Sequence, residues 1–553
     1  MGAMAEADQK HAGAAPAAAN EDPAKRGPRL VVLKFGSAMV GGEDYPHEAV
    51  HEAYRWVREG YDVLIVVSAP EGETDTLFKL AEQMGHGGRS PHLPRLLRIG
   101  ELRSAALLAL ALERAGLKAA VMDPHEMDLR SEGDPQDATL TSCDADALRA
   151  ALDTTHVVVA PGYFALGAGG DLAMLGRGGA DYTAAFLGER LGADRVRLIR
   201  PAGVLDSQPA QAKAASLAAA SGRELEVAAP ARAAAGDAAT RRLKVALLGC
   251  GTVGGGVFQF LERHSDLFEP VGILVRTADS SRYKDVPAAL LTQDPTDPAI
   301  LSADVVMEQI GGLDPATDLV CAALARGQDV VTANKEIYAR RFAKLMEAAK
   351  AGNSELRASA SVGGGVPVIE AVDKARAEGR QFVAIEGVAN GTCNFVLDEM
   401  EAGKTLDEAV KLAQEAGYAE ADPTADVDGW DAASKIAILA RKGMGLELSP
   451  DDAEKDSLRK VTLADIQNAA AEGKRIRQVG HISMEGGQTH YSVKLDPLPT
   501  DAFLAGARGP ENRFVLKLAD GSEQRISGLG AGRWPTAEAM FADLLDLHRL
   551  RAQ

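Results

Sequence analysis

Residues 243–257 read LKVALLGCGTVGGGV, an apolar run that breaks into a glycine-rich turn and resumes as an amphipathic segment. An unbroken apolar run is the mark of a strand buried on both faces of a parallel sheet. Gly249, Gly251 and Gly254 follow it at the spacing G-x-G-x-x-G. The first glycine makes the tight turn, the second lets the backbone approach a pyrophosphate, and the third packs helix on strand. Thr252 and Val253 would then open a helix whose free N–H groups face the phosphates. A dinucleotide site on a doubly wound α/β domain is expected. A merely structural strand–helix turn is the competing reading.

The next strand-like run, PVGILVRT, ends on Arg276, where an NAD enzyme of this kind carries Asp or Glu. A guanidinium can grip a ribose 2′-phosphate by a forked, charge-assisted hydrogen bond, and Arg282 or Lys284 could help. NADP is favoured, with NAD as the alternative. A solvated loop arginine is the bland reading.

Working outward, 553 residues are too many for one core, at about 100–200 residues per domain. Strands and helices alternate over residues 29–207, which predicts a first α/β module. Residues 208–242 are Ala-rich with little to bury and read as a linker; residues 1–28 read as a disordered tail. The dinucleotide domain is expected over 243–366, rejoined by 528–553. Helices are expected to dominate after about Pro367, with two shorter strand-like runs, IRQVGHISM and THYSVKLDPL, in an α+β domain over 367–527. A net charge of −19 argues against nucleic acid. No apolar run is long enough to span a membrane, and the N-terminus lacks a signal-peptide core. Four scattered cysteines fit a reduced, cytoplasmic setting.

The chemistry concentrates downstream. VVTANKE, residues 330–336, sets Thr332 and Lys335 at the end of a short buried strand, where open α/β sheets face their ligand. A surface lysine at a helix start would look the same. ASASVGGGVPVIEAV, residues 358–372, crowds Gly363–Gly365 into a turn, and EGVANGTCNF adds a polar turn with Thr392. Thr405 and Glu408 form a capping box, and Gly417 ends that helix. A loop with Glu420, Asp422, Asp426 and Asp428 leads to a helix starting near Asp431. Asp431 and Lys435 are i and i+4 and share a face. On a surface such a pair is worth a few tenths of a kcal/mol. Here the neighbours from Ala432 to Ala440 are nearly all apolar, so the pair is buried at a desolvation cost. That makes it a functional candidate. Asp422, Asp426 and Asp428 are expected only to shape or cap the loop.

From Leu243 onward the chain resembles homoserine dehydrogenase. The motifs are GCGTVGGGV, EQIGG, VVTANKE, SVGGGVPVI, GVANGTCN, AQEAGYAEADPTADVDGWDAASK (Ala413–Lys435) and GLGAGRWPTAEAMFADLL, in that order. The resemblance implies NAD(P)-dependent interconversion of L-homoserine and L-aspartate 4-semialdehyde. It implies Lys435 as general acid/base, Asp431 as its substrate-binding partner, Glu420 holding the substrate ammonium, and Lys335 beside the nicotinamide and reacting oxygen. Thr392 joins the implied substrate contacts, and Thr332, Gly417, Gly530 and Gly532 the cofactor contacts. It further implies a monovalent cation, Na⁺ or K⁺, on backbone oxygens of Val362, Gly364 and Val366, although Ser359 stands where the family usually has Glu. A homodimer is also implied.

The front half, residues 29–206, resembles the amino-acid kinase fold of aspartokinase, through VVLKFGSAMV, VVSAPEGETDTL, GELRS, PGYF and LGRGGADYTAA. Lys34 matches the phosphate-neutralising lysine, and Gly178–Gly179 the backbone that approaches substrate. Three departures count against phosphorylation. Ser37-Ala38 breaks the glycine-then-hydroxyl run, RPAGV (Arg200–Val204) replaces the acidic nucleotide segment, and the rest of the nucleotide half is missing before the linker. Loss of kinase activity is expected; a true bifunctional aspartokinase–homoserine dehydrogenase is the alternative.

Overall fold

The computed structural model describes residues 29–40, 46–85, 90–200, 225–228, 242–277, 283, 285–420 and 422–552. The expected tail, most of the expected linker, Pro201–Val204, Arg282 and Lys284 lie outside the described residues.

The first module is built on a parallel six-stranded sheet. Its order is Leu225–Ala228, Arg195–Ile199, Arg29–Phe35, Tyr61–Val67, Val157–Pro161, Ala120–Val121. All seven residues of Tyr61–Val67 are buried, as expected for a strand covered on both faces. The linker reading needs correction. Leu225–Ala228 lies inside it yet adds an edge strand to this sheet, and Arg197 grips Glu226 through two nitrogens at 3.0 Å each. Four residues satisfied on one side only leave a weak signal in an Ala-rich stretch.

The second sheet is also parallel, ordered Leu291–Thr292, Phe268–Leu274, Leu243–Leu248, Val305–Glu308, Asp329–Thr332, Leu356–Arg357. The order reverses between Leu243–Leu248 and Val305–Glu308, and a crevice opens there at the strands' carboxyl ends.

The third sheet is ordered Glu454–Lys455, Gln488–Pro499, Lys474–Glu485, Phe382–Val388, Glu511–Leu518, Glu523–Leu529, and every pairing but the first is antiparallel. Helical residues outnumber strand residues here, yet the sheet is larger than the two strand-like runs alone. The two strand-like runs form a hairpin of twelve-residue strands, and four further strands lie in stretches where Glu, Lys and Gly interrupt the apolar alternation. On this sheet rests the helix Trp430–Met444, entered through Gly429 (φ +79°) and closed by Gly445 (φ +70°). It packs so closely that a Cβ on Gly480 would sit 2.5 Å from Ile436 Cγ1.

The last helix, Arg533–Ala552, belongs to two modules at once. Gly256 of the helix Thr252–Arg263 makes room for it, since a Cβ there would lie 3.1 Å from Ala537 Cβ. Its other side meets the helix His47–Arg58 of the first module, where His51 contacts Glu538 and stacks 4.9 Å from Phe541. One apolar cluster therefore runs from Val31 and Leu33 through Phe260 to Val245 and Leu247. Among the described residues no helix is long and apolar enough to cross a membrane.

Candidate active site

The glycine fingerprint stands as strand, turn and helix. Gly249 has φ +101°, a region that favours glycine, and its carbonyl accepts a 2.9 Å hydrogen bond from Gln309 Nε2 across the crevice. A Cβ on Gly254 would come within 2.5 Å of the Gly249 oxygen, so this glycine brings helix against turn. At Gly251, by contrast, a Cβ would meet nothing within 4 Å. That open face, next to the N–H groups of the helix start at Thr252 and Val253, has room and polarity that could hold a pyrophosphate. Arg276 is exposed just past the neighbouring strand Phe268–Leu274.

Lys335 opens the helix Lys335–Arg340 and is positioned by residues before it. Asn334 caps the helix, its side-chain oxygen accepting from Glu336 N and Ile337 N. The buried Glu308 of the EQIGG motif accepts from Thr332 Oγ1 at 2.5 Å and Asn334 Nδ2 at 3.3 Å. It also accepts from the backbone N–H groups of Ile310 and Gly311. Burial pushes the Glu308 carboxyl up, against the pull of those donors. Thr332 thus faces Glu308, and it fixes the entry to Lys335.

Lys335 Nζ lies 2.8 Å from Asp431 Oδ1, and Lys435 Nζ lies 2.9 Å from Asp431 Oδ2. Lys435 also donates to the Ala389 carbonyl at 2.6 Å. Asp431 is 4% exposed and Lys435 8%, whereas the Lys335 side chain is 36% exposed. The expected helix pair is present, and a lysine a hundred residues upstream completes it. Burial alone would push the Asp431 carboxyl up; the two ammonium groups outweigh it and hold it well below the usual carboxylate range. Asp431 in turn holds the Lys335 ammonium well above the usual lysine range.

Two residues not assigned from sequence join this cluster. Asn390 Nδ2 donates to both Asp431 Oδ2 and Asp426 Oδ1, at 2.7 Å each, while its oxygen caps the helix Gly391–Glu401 by accepting from Cys393 N. Burial, with Asp431 beside it, pushes the Asp426 carboxyl up. Asp426 is therefore part of the polar cluster and does more than shape the loop. Its neighbours behave as expected: Asp422 accepts from Thr424 N, and Asp428 from the Ser457 hydroxyl. The signal for Asn390 lay in its cap position ahead of a helix, which explains only half of its side chain.

Other expected residues frame the cluster. Thr392 Oγ1 donates to the Tyr418 carbonyl at 2.8 Å, which ties down the loop carrying Glu420. Glu420 itself is exposed, and its carboxylate has no hydrogen-bond partner among the described residues. Gly417 takes φ +77° past the helix Leu406–Glu415. Gly530 packs against Asn512, whose amide would be 2.1 Å from a Cβ there, and Gly532 has φ +125°. The carbonyls of Val362, Gly364 and Val366 lie on the turn between Ser359–Ser361 and the helix Val368–Ala377.

In the first module Lys34 Nζ lies 2.9 Å from Asp181 Oδ1, both buried, and the Arg200 guanidinium contacts the other oxygen of Asp181. Gly178 (φ +77°) caps the helix beginning at Gly179.

Comparison with known proteins gives three family matches: "Homoserine dehydrogenase, NAD binding domain" over residues 249–358, "Homoserine dehydrogenase" over 367–545, and "Amino acid kinase family" over 29–246. The homoserine dehydrogenase of Synechocystis is 36% identical over 320 residues, covering 55% of this chain and 73% of its own. That of Bacillus subtilis is 33% identical over 318 residues, covering 55% and 72%. A solved homoserine dehydrogenase structure from Thiobacillus denitrificans matches with TM-score 0.53 and 34% identity, covering 56% of this chain and 74% of that one.

Proposed function

We propose, from the premise that this chain belongs to the homoserine dehydrogenase family, that Lys435, Asp431 and Lys335 carry the proton and charge side of its reaction. The chain is an oxidoreductase that interconverts L-homoserine and L-aspartate 4-semialdehyde with a nicotinamide cofactor. When bound, the nicotinamide ring accepts a hydride from C4 of homoserine or returns it to the aldehyde carbon.

One observation carries the assignment. An ammonium group has three donors, and Lys435 has two occupied, by Ala389 O and Asp431 Oδ2. The third is left for the substrate oxygen, to which Lys435 gives a proton as the aldehyde is reduced and from which it takes one as the alcohol is oxidised. Asp431 holds Lys435 in direction and balances both lysines. Lys335, at the crevice end of its strand, steadies negative charge on the same oxygen. Glu420 and Thr392 are assigned to the substrate's amino-acid end, Glu420 by its carboxylate and Thr392 by holding the loop. NADP is the preferred cofactor, on the strength of the exposed Arg276 beside the fingerprint strand. Gly249, Gly251, Thr252, Val253 and Gly254 cradle its pyrophosphate, with Thr332, Gly417, Gly530 and Gly532 around it. The enzyme works as a homodimer in the cytoplasm, the latter supported by four free cysteines.

The expected cation fits these residues poorly. Val366 O already accepts from Val368 N at 2.8 Å, and the Ser359 hydroxyl donates to Asp543 at 2.7 Å. The carboxylates nearby, Glu370 and Asp543, are paired with Arg58. Arg58 shares its one positive charge between both carboxylates and Ser359 brings none of its own, so no ion is used in the chemistry above.

The amino-acid-kinase module is inactive as a kinase in this reading. Arg200 lies against Asp181 at the position where the family places an acidic nucleotide segment, and a γ-phosphate without a held nucleotide cannot be aligned. Purified protein supplied with homoserine and NADP should form NADPH, and with ATP, Mg²⁺ and aspartate it should form no aspartyl phosphate. No homoserine-dependent NADPH would sink the catalytic assignment, and aspartyl phosphate would favour the bifunctional reading.

A further inference from the structure

The kinase-like module reaches into the dehydrogenase half through the buried Tyr54 and the partly buried Arg58, one turn apart on the helix His47–Arg58. The Tyr54 hydroxyl donates to the Gly365 carbonyl at 3.0 Å. The Arg58 guanidinium donates to Asp543 Oδ1 at 2.7 Å, Glu370 Oε1 at 2.9 Å and Ser359 Oγ at 3.3 Å.

These partners bracket one place. Ser359 precedes the Gly363–Gly365 turn, Glu370 follows it, and Asp543 lies on the helix behind the Gly530–Gly532 turn. The two turns touch: a Cβ on Gly364 would be 2.8 Å from Gly530 O, and Gly365 N donates to Leu529 O at 3.2 Å. Asp543 closes the ring by accepting from Ser359 N at 3.0 Å. Arg58 is the single ion-pair partner of both Glu370 and Asp543 among the described residues. Removing it leaves two uncompensated carboxylates behind the turns.

We propose that Arg58 and Tyr54 are positioning residues of the dehydrogenase, through which the kinase-like module sets the two glycine turns that flank the cofactor. This rests on the assignment of Gly530 and Gly532 to the cofactor site. The module then acts as a structural limb of the active site and needs no ligand or phosphoryl transfer of its own to influence turnover. Its contribution is to cofactor binding, since neither side chain contacts the Lys335–Asp431–Lys435 cluster.

The test uses the full chain with Arg58→Ala, Arg58→Lys and Tyr54→Phe, reading the Kd for NADPH by fluorescence titration alongside kcat and the KM for homoserine. Arg58→Ala should raise the Kd about 10-fold or more, with kcat on saturating cofactor changed less than about 3-fold. Arg58→Lys, which keeps the charge, should recover part of the loss, and Tyr54→Phe should weaken NADPH about 3-fold. A Kd unchanged in Arg58→Ala, or a loss confined to kcat, overturns the proposal, because a merely structural role lowers the amount of active enzyme without altering affinity. If Arg58→Ala does not fold, Tyr54→Phe carries the test alone, and an unchanged Kd there overturns it. Ala531→Asp, within the second turn, checks the underlying assignment separately. An unchanged Kd in that variant removes the turn from the cofactor site, whereas an unchanged Kd in the Arg58 and Tyr54 variants alone removes only the positioning role.

Discussion

Lys335 and Asp431 meet across a domain boundary, Nζ to Oδ1 at 2.8 Å. Lys335 opens a helix at the carboxyl end of the parallel sheet; Asp431 opens the helix that lies on the antiparallel sheet. The contact joins the crevice of the parallel sheet to Lys435, the lysine proposed to transfer the proton, because the other oxygen of the same carboxylate holds it. Both oxygens of Asp431 are therefore committed, and in the proposed mechanism the substrate oxygen finds its donors on the lysines.

Asp431→Asn should lower kcat by about 10²–10⁴. The folded carboxylate is held ionised far below the usual range, so it stays charged at every working pH and compensates two ammonium groups. Replacing it leaves those groups facing each other. Lys335, whose ammonium is held up chiefly by Asp431, should then lose its proton at lower pH. A kcat profile against pH checks this: the alkaline limb should move to lower pH in the variant. An unmoved limb contradicts the shared-carboxylate account.

Arg276→Ala should reduce the preference for NADP over NAD by about 10-fold or more, the worth of a charge-assisted fork to a phosphate. The comparison is of kcat/KM for the two cofactors in each protein. An unchanged ratio removes Arg276 from cofactor choice.

Glu420→Gln should raise the KM for homoserine by about 10–100-fold, the loss of one hydrogen bond to a charged group. Glu420 is exposed and, unlike Asp426 on the same loop, makes no hydrogen bond or ion pair to the Asp431 cluster among the described residues, so kcat should fall far less. A drop in kcat at constant KM would assign Glu420 elsewhere.

Glu101 of the kinase-like module is buried, with one oxygen unpartnered among the described residues, and burial raises its carboxyl from 4.5 to about 8. The folded value lies above the unfolded one. Stability from this group is thus fully present below about pH 4.5 and is lost as pH rises to about 8. Glu101→Gln should flatten that loss and raise the melting temperature at about pH 8 by several degrees. Equal melting temperatures across that range in both proteins would contradict the burial argument.

The parallel sheets were legible because their strands are mainly apolar runs, LKVALL and YDVLIVV, and glycine spacing marked the crevice. Asp431 and Lys435 were legible because an ion pair stood at the head of an otherwise apolar helix. The antiparallel sheet was harder. Glu511–Leu518 carries Asn512, Arg513 and Lys517 and pairs on one side with Phe382–Val388, a partner far along the chain that no local pattern fixes. Leu225–Ala228 was hidden in the same way by its Ala-rich surroundings. Asp426 and Asn390 enter the cluster only after the loop folds back on the helix Gly391–Glu401, which no local pattern reveals. Nor does sequence show Tyr54 and Arg58 reaching Gly365 and Asp543, more than three hundred residues away.

The most direct test of the central claim is the rate of homoserine-dependent NADPH formation by Lys435→Ala under saturating substrates, with folding checked by circular dichroism. The account predicts a kcat lower by about 10²–10⁴ with NADPH binding intact. A folded Lys435→Ala protein that turns over homoserine at the wild-type rate would contradict it.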